Sequence, residues 1–226
     1  SNKIFDASKL YIANRNSSGI ISSIKALSPL PYYIFPGDYI VETEDADNLA
    51  LQYLVKNPEN VLLISSPPSF PDDEGTVVAL NFQGNVVDEV KYKDDWHFKL
   101  IDNAEGVSLE RIDPDGTSQD ETNWHSAAST AGYGTPTYKN SQYKLVQSIN
   151  AAIEISPKVF SPDNDGRDDI ATVQYAVTEP GYIANVTIFD AAGRPVRNLV
   201  RNGTLGLNGY WNWDGLDDKG LKLPVG

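Results

Sequence analysis

The stretch "FSPDNDGRDDI", residues 160–170, carries four aspartates around one glycine. Asp163, Asp165, Asp168 and Asp169 offer hard oxygen ligands, and Gly166 permits the bend that would turn them inward. That is the chemistry of a calcium site, which gathers about six to eight oxygens on a curved loop. The spacing is not that of the helix–loop–helix calcium hand. With Gly166 at its sixth position, Ser161 falls at the first and Thr172 at the twelfth, where an Asp and a bidentate Glu are needed. The plainer alternative is a solvated turn whose carboxylates accept bonds from nearby amides. Two more acidic turns, "RIDPDGTSQDET" (111–122) and "WDGLDDKG" (213–220), carry weaker ion-binding signals. Aligned on Gly116, the first places Arg111 where the calcium hand needs Asp.

Catalytic groups are sparse. The two histidines are His97 and His125. Ser126 beside His125 raises a serine–histidine arrangement, but neighbours on an extended chain point to opposite sides. There is no G-x-S-x-G elbow and no H-E-x-x-H zinc motif. The 31 acidic residues contain no spacing that singles out a carboxylate pair for glycoside hydrolysis. Zero cysteines exclude disulfides, zinc–thiolate sites and thiol catalysis. Twelve tyrosines and four tryptophans could stack on sugars, yet Trp211 and Trp213 share one strand face, which suits a core. The expectation is therefore no enzyme, no catalytic residue and no organic cofactor, with calcium at Asp163, Asp165, Asp168 and Asp169 as the one metal candidate.

The elements that must position these residues are short strands between Gly, Pro, Asn and Asp clusters. "LYIANR" (10–15) and "GIISSIKAL" (19–27) read as a hairpin around "NSSG". "GTVVALNF" and "NVVDEVKY" meet at Gln83-Gly84-Asn85 in a second one. A single helix is expected over about 46–56, capped by an aspartate and stopped by Asn57-Pro58. "VLLIS" (61–65) reads as a buried strand, and the absence of repeated βαβ texture argues against a parallel sheet. Residues 113–140 read as a long loop that wraps and pins the first module, anchored by Trp124. Residues 143–155 read as an extended connector. Strands over 169–200 and "GYWNWDG" (209–215) make up a second module. The chain is expected to be all-β: two tandem immunoglobulin-like β-sandwiches, over 1–142 and 156–226.

A formal net charge of −13 over 226 residues disfavours nucleic acid and anionic membrane surfaces as partners. No apolar run is long enough to span a bilayer. With no methionine the chain reads as a processed or excised piece.

Several stretches resemble known families. "GVSLERI" (106–112), "NWHSA" (123–127) and "GYGTPTYKN" (132–140) resemble the closing signature of the lamin-tail domain, in particular its bacterial version from exported surface proteins. "FPGDYIV" and "NFQGNVVDEVKY" match upstream. The resemblance covers residues 3–142 and implies an immunoglobulin-like sandwich without catalytic activity. Two departures stand out: a strand or two that the family carries before residue 3, and Thr137 in place of the family's glycine after "TP". "SPKVFSPDNDGRDD", "VTIFDAAGRPVRNL" and "WNWDGLDDKGLKLPVG" resemble the immunoglobulin-like domain of flagellar hook-capping proteins and related C-terminal modules of bacterial gliding and surface proteins. This covers 153–226, and such domains run into one more strand. A strand missing from each module would leave sheet edges open to another chain.

Together these imply structural or adhesive modules of an exported bacterial cell-surface protein. They would present loops and edges to a protein or surface-polymer partner. Calcium-dependent glycan or matrix binding, and accessory domains of a larger extracellular hydrolase, are the alternatives.

Overall fold

A computed structural model describes residues 3–143, 152–178 and 182–225. The chain divides into two compact units: Ser1–His97 with Ala104–Tyr143, and Lys144–Gly226 with the short segment Phe98–Asn103. Both are built mainly from antiparallel strands.

In the first unit β1 (Phe5–Asp6), β2 (Leu10–Arg15), β3 (Ile21–Ala26), β4 (Tyr33–Ile34) and β5 (Val41–Thr43) precede helix α1 (Ala46–Gln52). Then come β6 (Val61–Leu63), β7 (Glu74–Asn81), β8 (Val86–Lys93), β9 (Leu109–Arg111) and β10 (Trp124–Ser126). Four of them form the main sheet, in the order β3-β2-β7-β8. Both expected hairpins are present in it. Alternation puts Ala13, Val78 and Leu80 into the core, with Tyr11 and Ile21 packed against them. At the hairpin tip Gly84 adopts φ +80°. The Asn81 side chain there accepts from the amides of Gln83 and Asn85. Arg15 reaches across the sheet to Glu89 in a bidentate pair, 2.8 and 2.7 Å.

The helix is shorter than the apolar spacing predicts. Asp45 caps its start by accepting from Asn48 N at 2.9 Å. It ends at Gln52, because Tyr53 turns extended and its hydroxyl donates to Gly106 O at 2.9 Å. No helical residue is buried, and Leu51 is exposed. The expectation against parallel pairing also fails locally. β5 and β6 pair in parallel, with α1 in the crossover that such a pair requires. β6 is buried on one side only: Leu62 is buried and Leu63 exposed.

In the second unit β11 (Ile153–Ser156), β12 (Ala171–Ala176), β13 (Ile183–Phe189), β14 (Pro195–Thr204) and β15 (Asn208–Trp213) make two sheets, β11-β12-β15 and β13-β14. β11 corrects the reading of 143–155 as connector: its last residues pair with β12. Residues 144–151 of that expected connector lie outside the described residues. Trp211 and Trp213 do share a face, but both are half-buried. Trp211 stacks on Tyr175 at 4.7 Å and Trp213 packs on Phe160 at 5.1 Å. Thr172 and Asn212, both buried, point the other way and hydrogen-bond at 3.0 Å.

Both units use one device: a tyrosine ring laid over a glycine on the facing strand. Tyr92 lies over Gly75, and Tyr175 over Gly209. A Cβ on Gly209 would stand 2.4 Å from Tyr175 Oη and 2.6 Å from Cζ. Gly209→Ala must therefore push Tyr175 off its stack with Trp211. We expect a loss of about 1–3 kcal/mol in urea denaturation, together with a changed near-ultraviolet circular dichroism signal.

Candidate functional site

The acidic loop is wired to its own backbone. Asp169, 2 % exposed, accepts from Asp163 N at 3.2 Å and Gly166 N at 2.7 Å. Asp163 accepts from Asp165 N, and Asp165 from Arg167 N. Ser161 N donates to Asp168 O at 2.9 Å and closes the loop. Phe160 rests on Trp213, while Pro162 and Phe160 both flank Gly215, where no side chain could fit. Lys222 Nζ donates to Pro162 O. The loop is thus a plug seated on β15 and held shut by Asx-type bonds.

Of the four aspartates, the fold brings three together. One carboxylate oxygen each from Asp163, Asp165 and Asp169 lies within 4.8 Å of the others. The Asp168 side chain is outside that group; its backbone is left-handed, φ +48°. Three converging carboxylates fit part of a calcium shell, although each also serves an amide of the turn.

The histidine–serine contact forms, but between other partners than sequence adjacency proposes. His97 Nδ1 lies 2.9 Å from Ser126 Oγ. His125 is buried and its Nδ1 lies 3.0 Å from Ser126 O. Burial holds the His97 imidazole below its ordinary pKa, so it is neutral at pH 7. A neutral histidine on a serine hydroxyl is the start of a nucleophile, but Ser126 is 0 % exposed.

Around this pair lies a polar knot that fixes the long loop. Glu110, 4 % exposed, accepts from Thr135 Oγ1, from Ser141 N and Oγ at 2.7 Å each, and from Gln142 N at 3.3 Å. Asn123, fully buried, donates to Asp113 O at 2.9 Å and accepts from Asp113 N at 2.8 Å. Trp124 Nε1 donates to Ser118 O, so the expected anchoring of the loop by Trp124 is present. Gln119 meets Lys91 through both backbone groups, N at 2.8 Å and O at 3.0 Å, and occupies part of the β8 edge. Thr137 adopts φ +67°, a left-handed conformation costly for a β-branched residue, while buried. Its Oγ1 and O accept from Asn57 N and Nδ2 at 3.0 and 2.6 Å, which offsets that strain.

One cavity of about 270 Å³ opens beside the knot. Tyr39, Tyr53 and Tyr138 line it, with Ser108, Glu110 and Thr135. Burial raises the phenol pKa of Tyr39 and Tyr138, the nearby Glu110 charge adding to it for Tyr138. Sequence reasoning singles out neither this cavity nor Glu110. A signal for Glu110 was there: it shares strand parity with Ile112, which is 2 % exposed, so both side chains face inward. No family model matches the chain, and neither does any curated protein or solved structure.

Proposed function

We propose that the chain is a pair of non-catalytic β modules from an exported bacterial cell-surface protein, presenting loops and sheet edges to a protein or polymer partner. The observation that carries this reading is how the reactive side chains are employed. His97 meets Ser126 of β10 and Glu110 of β9 accepts from Ser141, so these side chains fix the 113–142 segment, and Ser126 has no exposed surface. The resemblances to the lamin-tail and hook-capping domains support an immunoglobulin-like fold for each unit and a role in display or anchoring. The antiparallel sheets agree with that fold. No helix among the described residues is long and apolar enough to cross a membrane.

Two measurements test the reading. Protease added to intact cells should remove the protein from their surface. The purified chain should turn over no nitrophenyl ester, glycoside or phosphate. Turnover that disappears in Ser126→Ala overturns the non-catalytic assignment, and full protection from protease overturns the location.

A second reading, calcium-dependent binding of a glycan or matrix polymer, is favoured by the convergence of Asp163, Asp165 and Asp169. Calorimetric titration with calcium decides between the two. With carboxylates that serve only their own turn, no heat and no shift in melting temperature are expected. A melting temperature that rises with calcium in the native chain, and not in Asp165→Asn, puts the second reading first.

A further inference from the structure

We infer that the cavity of the first unit is a binding subsite for one neutral sugar ring; this deepens the adhesive reading and rests on it. The walls come first. Tyr39, Tyr53 and Tyr138 surround a space of about 270 Å³. That volume lies just below the usual range for small-molecule sites, about 300 to 1,000 Å³. It suits a single ring rather than an oligosaccharide. Two of the three tyrosine walls have fixed contacts. Tyr53 is tethered through its hydroxyl to Gly106 O at 2.9 Å. Its ring lies against Gly134, where a Cβ would come within 2.6 Å of it. Tyr138 carries Lys56 Nζ 3.9 Å from its ring centroid. A site whose walls are already positioned loses little freedom on binding.

The polar groups then select among ligands. Glu110 places a negative charge at the wall, which disfavours an anion. Both its oxygens already accept, from Thr135, Ser141 and Gln142, so it has little left to offer a cation. Hydroxyls remain. Among the described residues, no hydrogen bond engages Tyr39 Oη or Ser108 Oγ, and both residues line the cavity. Tyrosine rings and unengaged hydroxyls lining one space complement a pyranose, which has an apolar C–H face and a rim of hydroxyl groups.

The test uses the whole chain, labelled with ¹⁵N, and the methyl glycosides of glucose, galactose and N-acetylglucosamine as probes. At least one should shift the amide signals of Ser108, Thr135 and Tyr138, saturating at millimolar concentration. Tyr138→Ala should weaken that binding about tenfold. Should that variant unfold, Ser108→Ala keeps the walls and should still weaken binding severalfold. The inference is overturned if none of the three glycosides moves those signals. It is overturned too if methyl glucuronide, the anionic analogue, moves them as strongly as the neutral probes. Methanol released from the glycosides would overturn the non-catalytic reading by itself, whichever signals shift.

Discussion

Glu110→Gln is expected to lower the stability of the first unit by about 3 kcal/mol, read as an earlier urea midpoint. The native carboxylate is buried on β9 and faces four donors. Glutamine keeps one acceptor oxygen, which suits Thr135. Its amide nitrogen then meets the amides of Ser141 and Gln142, and donor faces donor. A buried donor without an acceptor costs about 1–3 kcal/mol. Ser141 matters doubly, since its Oγ also accepts from Ala128 N at 2.8 Å. Loss of this hub should loosen the 113–142 loop and lower the melting temperature by roughly 6–12 °C. An unchanged midpoint would show that the loop is held elsewhere.

The second large effect is on pH dependence. Glu42 lies on β5, and burial pushes its carboxyl up to about 7 from an ordinary 4.5. Its Oε1 is buried with no hydrogen-bond partner among the described residues. In the unfolded chain the group releases its proton near the ordinary value. Between 4.5 and about 7 the folded chain therefore holds a proton that the unfolded chain has lost. The contribution of Glu42 to stability is then greatest below 4.5 and is lost as pH rises through 7. The side chain is about half screened by water, so the fall is about 1–2 kcal/mol rather than the full linkage value. Glu42→Gln is neutral at every pH. Its stability should exceed that of the native chain by about this amount at pH 8 and match it at pH 4. Parallel curves for the two proteins across this range would refute the assignment.

The sequence makes much of the fold legible because strands and turns are written locally. Short β-rich runs between Gly, Pro, Asn and Asp clusters mark β2, β7, β8 and β12. Asn81 and Gly84 mark the hairpin turn by side-chain bonding and by a positive φ. Helix length was less legible. The apolar pattern continues past Gln52, but a distant acceptor, Gly106 O, draws Tyr53 out of the helix. The β5–β6 pairing was hidden for a similar reason, since a parallel pair joins residues far apart in the chain.

The site residues divide in the same way. Composition alone removed thiol chemistry, and spacing alone removed the calcium hand, because both depend on which residues exist and in what order. Which aspartates converge was settled only by the fold. The turn at Asn164 and Gly166 folds Asp163, Asp165 and Asp169 together, and the left-handed backbone at Asp168 leaves its side chain outside. His97 and Ser126 meet because the segment after β8 crosses β10, a contact that no sequence spacing encodes. The cavity likewise joins Tyr39, Tyr53 and Tyr138 from three separate segments. Residue types fix the chemistry that is available; convergence of distant segments fixes which of it can act together.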